Sequence, residues 1–269
     1  MASINLKDSI KFSVAFGYSM YMNMSKINKR KVVLYYHELK KEHIPGFRRQ
    51  VKFIADTFKV VKPSQILSTE PGEDENLVAI TIDDAFESVY QNALPILKEY
   101  DLPAAIFAPV NRLGEPAGWH QTNNSQADKF NVMTHEQLID IDKQGFEIFS
   151  HTCTHPMLTE IDDESLKHEV KESKRILEQL LEHEVEAISY PYGDYNLKVC
   201  AAAKQAGYKL GFTVFPSMVN QNTDPMMIGR FRVDPDESPA IFKLKCRGAF
   251  HGLISLYAIR SIIFRSFSL

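Results

Sequence analysis

The stretch LVAITIDD, residues 77–84, decides the fold class of this chain. Its first six residues are apolar or β-branched and predict a strand that is buried on both faces, and Asp83 and Asp84 follow at once. Other short apolar segments alternate along the chain with longer helical patterns. This alternation predicts an α/β fold, either a parallel sheet or a barrel that is built of βα units.

The remaining elements are predicted outward from this strand by the same patterns. We expect strands at 32–36, 104–110, 146–149, 187–190, 210–215 and 231–233. We expect helices at 47–58, 89–100 with an interruption at Pro95, 134–143, 163–184 and 197–206. None of the connections is long enough to divide the chain with assurance. We therefore predict one domain over 31–239, with an amphipathic extension over 1–30 and a basic, apolar tail over 240–269.

Composition and charge argue against several classes of protein. The 269 residues include 31 Lys and Arg against 34 Asp and Glu, and this net charge of −3 excludes a strongly basic nucleic-acid binder. The three cysteines, Cys153, Cys200 and Cys246, are few and widely spaced, which argues against a disulfide framework and a cysteine-ligated zinc site. We expect reduced thiols in a cytoplasmic protein.

Both ends of the chain are apolar, but neither contains the roughly 18 consecutive apolar residues of a membrane-spanning helix. Residues 10–24 predict an amphipathic helix rather than a signal peptide. After Glu237 the sequence has no acidic residue, and its lysines and arginines are interspersed among apolar residues. Residues 240–269 therefore predict either a packed terminal helix or an interfacial helix that would make the protein peripheral on an anionic membrane.

Polar residues follow four of the predicted strands. They are His37, the Asp83–Asp84 pair, His151 with His155, and the segment 190–193. The carboxyl ends of the strands line the active site in parallel α/β folds. These four placements therefore predict a single site at one rim of the sheet.

The segment SHTCTH, residues 150–155, contains two histidines that are four residues apart. His151 and His155 are either surface or capping histidines or a pair of metal ligands, since neutral imidazole is a common ligand of Zn²⁺. Pro156 disfavours a long helix through His155 and favours a pair on a loop.

The other two clusters also have two interpretations each. In TIDDAFESVY (81–90), Asp84 caps a helix, or else one aspartate completes a metal site with two histidines while the other takes a proton from water. In SYPYGDYN (189–196), Pro-Tyr-Gly forms a plain turn, or else the turn fixes a backbone N–H that stabilises an oxyanion.

With these three segments in this order, the sequence resembles the polysaccharide deacetylases, also called carbohydrate esterase family four or the NodB-homology fold. The family motif Thr-Phe-Asp-Asp-Gly resembles Thr81–Ala85, and the family's His-Ser/Thr-x-x-His, whose length varies by a residue, resembles His151–His155. The family's Arg-x-Pro-Tyr-Gly resembles Ser189–Gly193. The resemblance covers roughly residues 32–235.

The resemblance implies a distorted (β/α) barrel that removes acetyl groups from an N-acetylated sugar, with the catalytic domain over 31–239. It implies a divalent metal, with zinc favoured and cobalt or nickel as alternatives. The metal ligands it implies are Asp84, His151 and His155. Asp83 is then the general base, and the backbone N–H of Tyr192 helps to form the oxyanion hole. Further contacts to the substrate are predicted for Tyr190, Pro191, Gly193 and Trp119, although Trp119 is equally interpreted as a hydrophobic plug rather than a sugar-stacking platform.

Two departures from the family pattern concern the base. Ala85 replaces the glycine of the first motif, which is a mild change if φ is negative there. Ser189 replaces the arginine that orients the base in the family. Arg230 or Arg232, in GRFRVD, could substitute for it, whereas exposed salt bridges are the alternative for both.

The general acid is predicted at the beginning of the domain. The family's Leu-x-His motif is not found after residue 215, but Leu34-Tyr35-Tyr36-His37 ends the first strand. A permuted subgroup that acts on exported poly-N-acetylglucosamine is similar in having Tyr-His near its start. We therefore predict His37 as the general acid, with structural packing against the strand as the alternative.

The resulting prediction is a metal-dependent N-deacetylase that acts on a cell-surface glycan or its lipid-linked precursor, with no nucleic-acid partner. A metal-dependent amidohydrolase of a small cyclic amide is one alternative. A non-catalytic glycan-binding homologue is the other, and the substitution at Ser189 slightly favours it.

Overall fold

The computed structural model describes residues 29–119 and 130–253, together with Gly17. The strands in this part of the chain are β1 (Lys31–Tyr36), β2 (Lys59–Val60), β3 (Leu77–Ile82), β4 (Ala105–Ala108), β5 (Glu147–Ser150), β6 (Ala187–Ser189), β7 (Leu210–Phe212) and β8 (Phe231–Arg232). The helices are α1 (Ile44–Thr57), α2 (Glu87–Asn92), α3 (Leu94–Glu99), α4 (His135–Lys143), α5 (Asp163–Leu181), α6 (Leu197–Gln205) and α7 (Pro239–Cys246).

The strands form one curled parallel sheet in the order β7-β6-β5-β4-β3-β1-β8, with β2 beside β3. The segment before β8 connects the two ends of the sheet. Ile228 forms a parallel bridge with Phe212, and its N–H donates to the carbonyl of Gly211. The architecture is the distorted (β/α) barrel that was predicted.

The pairing of β1 with β3 brings two predicted site segments together. Both strands are buried at every position, and Tyr36 pairs with Ile82 at their carboxyl ends. Because the two parallel strands end level with each other, the residues that follow them, His37 and Asp83, lie at the same rim.

Local signals explain where the elements begin and end. The predicted capping box of α4 is present, since Thr134 accepts from the Gln137 N–H and the Gln137 side chain accepts from the Thr134 N–H. The predicted helix 89–100 is interrupted at Ala93, two residues before Pro95. The strand predicted at 210–215 already ends at Phe212, because the next carbonyl accepts from an arginine side chain.

The described part of the predicted tail packs against the barrel. Phe242 on α7 is buried, and its ring centroid lies 5.8 Å from that of Phe53. None of the helices within the described ranges is long and apolar enough to cross a membrane. The extension over 1–30 and the tail beyond 253 fall almost entirely outside the described residues, so the domain limits and the membrane contact through 240–269 stay predictions. The cytoplasmic location stays one as well.

Candidate active site

A cavity of about 330 Å³ opens at the carboxyl ends of the strands. All four predicted polar clusters contribute to its wall. The lining residues are Tyr35, His37, Asp83, Asp84, His151, His155, Tyr192, Val214 and Arg232. The strand ends thus converge on one site, as expected for a parallel barrel.

Asp84, His151 and His155 form a buried cluster at this cavity. Asp84 Oδ1 lies 3.4 Å from His151 Nε2 and 3.3 Å from His155 Nε2, and one ligand atom from each residue falls within 4.8 Å of the others. Oδ1 is buried and accepts no hydrogen bond from the residues that the structure describes. A buried carboxylate oxygen without a partner is unfavourable, so the cluster fits a divalent cation such as Zn²⁺.

The orientation of His151 also suits metal binding. Its Nδ1 lies 2.8 Å from the carbonyl oxygen of Ser189. Because a carbonyl oxygen can only accept, Nδ1 is the protonated nitrogen in this contact. The Nε2 lone pair therefore points to the side of Asp84 and is available as a ligand.

The buried charges set the protonation of this cluster. Burial would raise the pKa of Asp84, but its contacts with His151 and His155 hold that pKa well below the ordinary value. Burial lowers the pKa of His155, and the charge of His151 lowers it further. Contacts with Asp84 and Asp83 outweigh burial for His151 and raise its pKa. Asp84 is therefore an ionised ligand at neutral pH.

Asp83 is held by Arg230 and is kept away from the ligand cluster. Arg230 is fully buried, and its Nη1 and Nη2 donate to the two carboxylate oxygens of Asp83 at 2.7 and 2.8 Å. Its other donors bind the Thr81 hydroxyl at 3.1 Å, the Ser189 hydroxyl at 2.7 Å and the Thr213 carbonyl at 2.9 Å. All five guanidinium N–H groups are thereby satisfied.

The ion pair between Arg230 and Asp83 shows which residue replaces the family arginine that is missing at Ser189. Arg230, the residue directly before β8, binds Asp83 and also Ser189, the position where the family motif has arginine. It therefore takes the place of that arginine, whereas Arg232 lines the cavity. Burial would raise the pKa of Asp83, but the charges of Arg230 and His151 lower it below its ordinary value. Asp83 is ionised at neutral pH, as a general base must be.

The site loops contain backbone in the left-handed region. Non-glycine residues with positive φ in these loops are Asp84 (71°), Ala85 (48°), Thr152 (69°), His155 (64°) and Tyr192 (58°). The replacement of the motif glycine by Ala85 would be mild only at negative φ. At the φ observed it costs about 1 kcal/mol, so the surrounding contacts hold this turn against some strain.

A carboxylate outside the cavity holds the loop that contains both histidines. Glu169 on α5 is buried and accepts from the N–H of Cys153 at 2.8 Å, from the N–H of Thr154 at 2.9 Å and from the Thr154 hydroxyl at 2.6 Å. Nothing in the charged helical pattern over 163–184 distinguishes Glu169, because its partners are mainly backbone groups of a distant loop.

Replacing Glu169 with glutamine is expected to weaken zinc binding about 10- to 100-fold. The amide keeps one acceptor oxygen and turns an NH₂ group towards donors, which loosens the loop. Zinc affinity is measured by titration against a competing chelator. The control is Glu172→Gln, one helical turn away, where the side chain pairs with Arg175 nearer the surface. Equal zinc affinity in the two variants would contradict this role.

Three residues that were predicted to contact substrate support a turn instead. The side chain of Tyr190 is fully buried, and its hydroxyl donates to a backbone carbonyl at 3.0 Å. Pro191 is buried as well. Gly193 has a φ of 68°, and a Cβ there would collide with Val214. These residues are not in the cavity wall, and they hold Tyr192 against it.

Of the two remaining predicted site residues, His37 lies in the cavity wall and Trp119 does not. The Trp119 ring stacks on His155, with centroids 4.5 Å apart and 26° between the planes, and its carbonyl accepts from the Tyr192 hydroxyl at 3.2 Å. That face is covered, and Trp119 is not part of the cavity wall. His37 lies in the wall as predicted, with its ring centroid 5.4 Å from that of Tyr35.

Comparison with known proteins identifies the family. The family model described as polysaccharide deacetylase matches residues 71–211, a range that contains both aspartates and both histidines of the cavity. This chain belongs to the polysaccharide deacetylase family. Its motifs, and not only its fold, are therefore those of carbohydrate deacetylases.

Two relatives show the extent of the similarity. YxkH of Bacillus subtilis (strain 168) is 29% identical over 200 residues, which cover 73% of this chain and 67% of YxkH. The poly-beta-1,6-N-acetyl-D-glucosamine N-deacetylase of Staphylococcus aureus (strain MRSA252) is 27% identical over 176 residues, which cover 62% of this chain and 57% of that protein. The chain thus spans little more than half the length of the staphylococcal enzyme.

Solved structures show the same fold. The Streptococcus pyogenes deacetylase PplD, in complex with acetate, superposes with a TM-score of 0.67 at 24% identity, covering 80% of this chain and 98% of PplD. IcaB from Ammonifex degensii superposes with a TM-score of 0.65 at 22% identity, covering 81% of this chain and 98% of IcaB.

Proposed function

We propose that this chain is a metal-dependent hydrolase that removes N-acetyl groups from an N-acetylated sugar, in a cell-surface glycan or its lipid-linked precursor. The different environments of two adjacent aspartates carry this proposal. Asp84 faces His151 and His155, whereas Asp83 is bound by Arg230 and stays outside that cluster. Metal-assisted amide hydrolysis needs both a ligand set and a separate base.

Asp84, His151 and His155 would hold the metal, and their mixed oxygen and nitrogen donors favour zinc over cobalt or nickel. A divalent metal held there would supply a Lewis acid for the acetyl carbonyl and would lower the pKa of water towards about 7. The residues around the ligands fix their geometry. The Ser189 carbonyl orients His151, and Glu169 holds the loop between the two histidines.

Asp83 takes the proton from the attacking water. Arg230 binds both carboxylate oxygens and keeps them ionised, while each oxygen retains a second lone pair for the water. His37 then donates a proton to the departing amine, and the backbone N–H of Tyr192 stabilises the tetrahedral oxyanion. The positions of His37 and Tyr192 in the cavity wall support these two roles.

The relatives support an N-acetylglucosamine glycan as the substrate. Several staphylococcal relatives are named poly-beta-1,6-N-acetyl-D-glucosamine N-deacetylase. The buried, ionised base argues against a purely glycan-binding protein, because binding alone requires no base beside a ligand cluster.

Acetate release from a panel of N-acetylhexosamine mono- and oligosaccharides tests the proposal. We expect zinc-loaded protein to release acetate from at least one of them. Turnover of a cyclic amide such as succinimide, without acetate from any sugar, would favour the amidohydrolase instead. Glycan binding without any turnover would favour a non-catalytic homologue.

A further inference from the structure

Arg232 occupies a different place from the arginine that holds the base. It is the last residue of β8, pairs in register with Tyr35 on β1, and is exposed at the cavity wall. Alternate residues of a strand point to the same face, so Arg232 follows Arg230 on that face, one step nearer the opening. His37 is likewise two residues after Tyr35 and lies nearer the opening of the cavity than Tyr35 does. Arg232 and His37 therefore lie side by side at the ends of the neighbouring strands β8 and β1, on one wall of the cavity.

The guanidinium of Arg232 has no ionic partner in the described part of the chain. Among residues 29–119 and 130–253, no carboxylate lies within 4.0 Å of its nitrogens. Arg48 pairs with Glu99 and Arg175 with Glu172, whereas the exposed Arg49 and Arg247 also have no carboxylate partner among the described residues. Arg232 differs from Arg49 and Arg247 because it lines the cavity. A guanidinium without a carboxylate partner in the described ranges thus lines the space where the substrate would bind.

The charges around the cavity favour an anion at this position. Arg230 neutralises Asp83 through two hydrogen bonds, and a divalent metal on Asp84 would more than neutralise that carboxylate. Arg232 then adds a further positive charge at the opening. The hydroxyl and carbonyl oxygens of a neutral glycan can accept single hydrogen bonds from a guanidinium, but only phosphate and carboxylate match both its charge and its paired donors.

We propose that Arg232 binds an oxyanion, a phosphate or a carboxylate, on the group that neighbours the reacting sugar. This inference rests on the proposed deacetylation and narrows its substrate to an anionic glycan or sugar phosphate. The acetamido group of an N-acetylhexosamine is on C2, so the oxyanion belongs to the substituent at C1 or C3. A C1 phosphate and an attached uronic acid are the two sources of this chemistry.

Two matched pairs of substrates test the inference and separate its sources. N-acetylglucosamine 1-phosphate is compared with methyl N-acetylglucosaminide, and an N-acetylglucosamine–glucuronate tetrasaccharide with the neutral N-acetylglucosamine tetramer. We expect the wild-type protein to prefer the anionic member of at least one pair by about 10- to 100-fold in kcat/KM, the range for hydrogen bonds to charged groups. High salt should reduce that preference.

The variant Arg232→Gln should lose this preference, and Arg232→Lys should keep part of it. Arg49→Gln, which removes an exposed arginine on α1, is the matched control and should keep all of it. A wild-type protein that turns over both members of each pair equally, or an Arg232→Gln variant with an unchanged ratio, overturns the inference and leaves deacetylation standing. Failure of all four compounds to release acetate contradicts the proposed function itself and this inference with it.

Discussion

Asparagine in place of Asp83 is expected to lower kcat for acetate release by about 10²- to 10⁴-fold, the usual contribution of a general base. The amide cannot take a proton from water, but its oxygen can still accept from Arg230. The ligand cluster on Asp84 is left in place. Bound zinc, measured by elemental analysis, should therefore equal that of the wild-type protein.

The neighbouring substitution Asp84→Asn is the matched control, because it changes the next residue in the same loop. It should lose both bound zinc and activity. The two variants together separate a base from a ligand. An Asp83→Asn variant with wild-type kcat, or one that loses zinc as Asp84→Asn does, would contradict the assignment of the base.

The variant Arg230→Gln is expected to lower the free energy of unfolding by about 3–5 kcal/mol at neutral pH, the range for removing one partner of a buried ion pair. Asp83 would then stay buried and ionised without its cation, and the Thr213 carbonyl would lose its donor. Urea unfolding monitored by circular dichroism measures this change. Activity should fall too, because the base is no longer held.

Two further variants show whether the loss comes from this ion pair. The double variant Asp83→Asn/Arg230→Gln should be more stable than Arg230→Gln alone, since no buried charge is left over. The exchange Ser189→Arg/Arg230→Ser returns the arginine to the position of the family motif and should recover part of kcat. If Arg230→Gln is as stable as the wild-type protein, the ion pair does not have the role assigned to it.

The fold was predictable where a strand is buried on both faces, because such a strand appears in the sequence as a continuous apolar run. The strand over 77–82 was predicted with the limits observed, because its apolar run ends sharply at charged residues. The predicted strand over 210–215 was too long, since the chain bends at Val214 and Phe215 and the Thr213 carbonyl accepts from Arg230. The two-residue strand β2 (Lys59–Val60) was not predicted, because so short a segment has no recognisable periodicity.

The site was predictable where its residues are adjacent in the sequence. Asp83 and Asp84, and the two histidines, fall in short motifs at strand ends. The choice between Arg230 and Arg232 was not predictable, since they are two residues apart in one short segment and only the packed barrel shows which of them binds Asp83. The role of Glu169 was not predictable either, because its partners are mainly backbone N–H groups of another loop.

Local geometry produced the remaining differences. The turn at Pro191 was recognised, but its sequence does not show that Tyr190 points into the core rather than the cavity. The conformation of Ala85 is set by tertiary contacts, and alanine itself would favour negative φ.

The central claim is that Asp84, His151 and His155 hold a divalent metal on which acetate release depends. The most direct test measures metal content and acetate release together, before chelation, after it, and after zinc is added back. We predict about one bound metal per chain, loss of activity with the metal, recovery with zinc, and neither metal nor activity in His151→Ala. Acetate release that continues unchanged in the metal-free protein would contradict the claim.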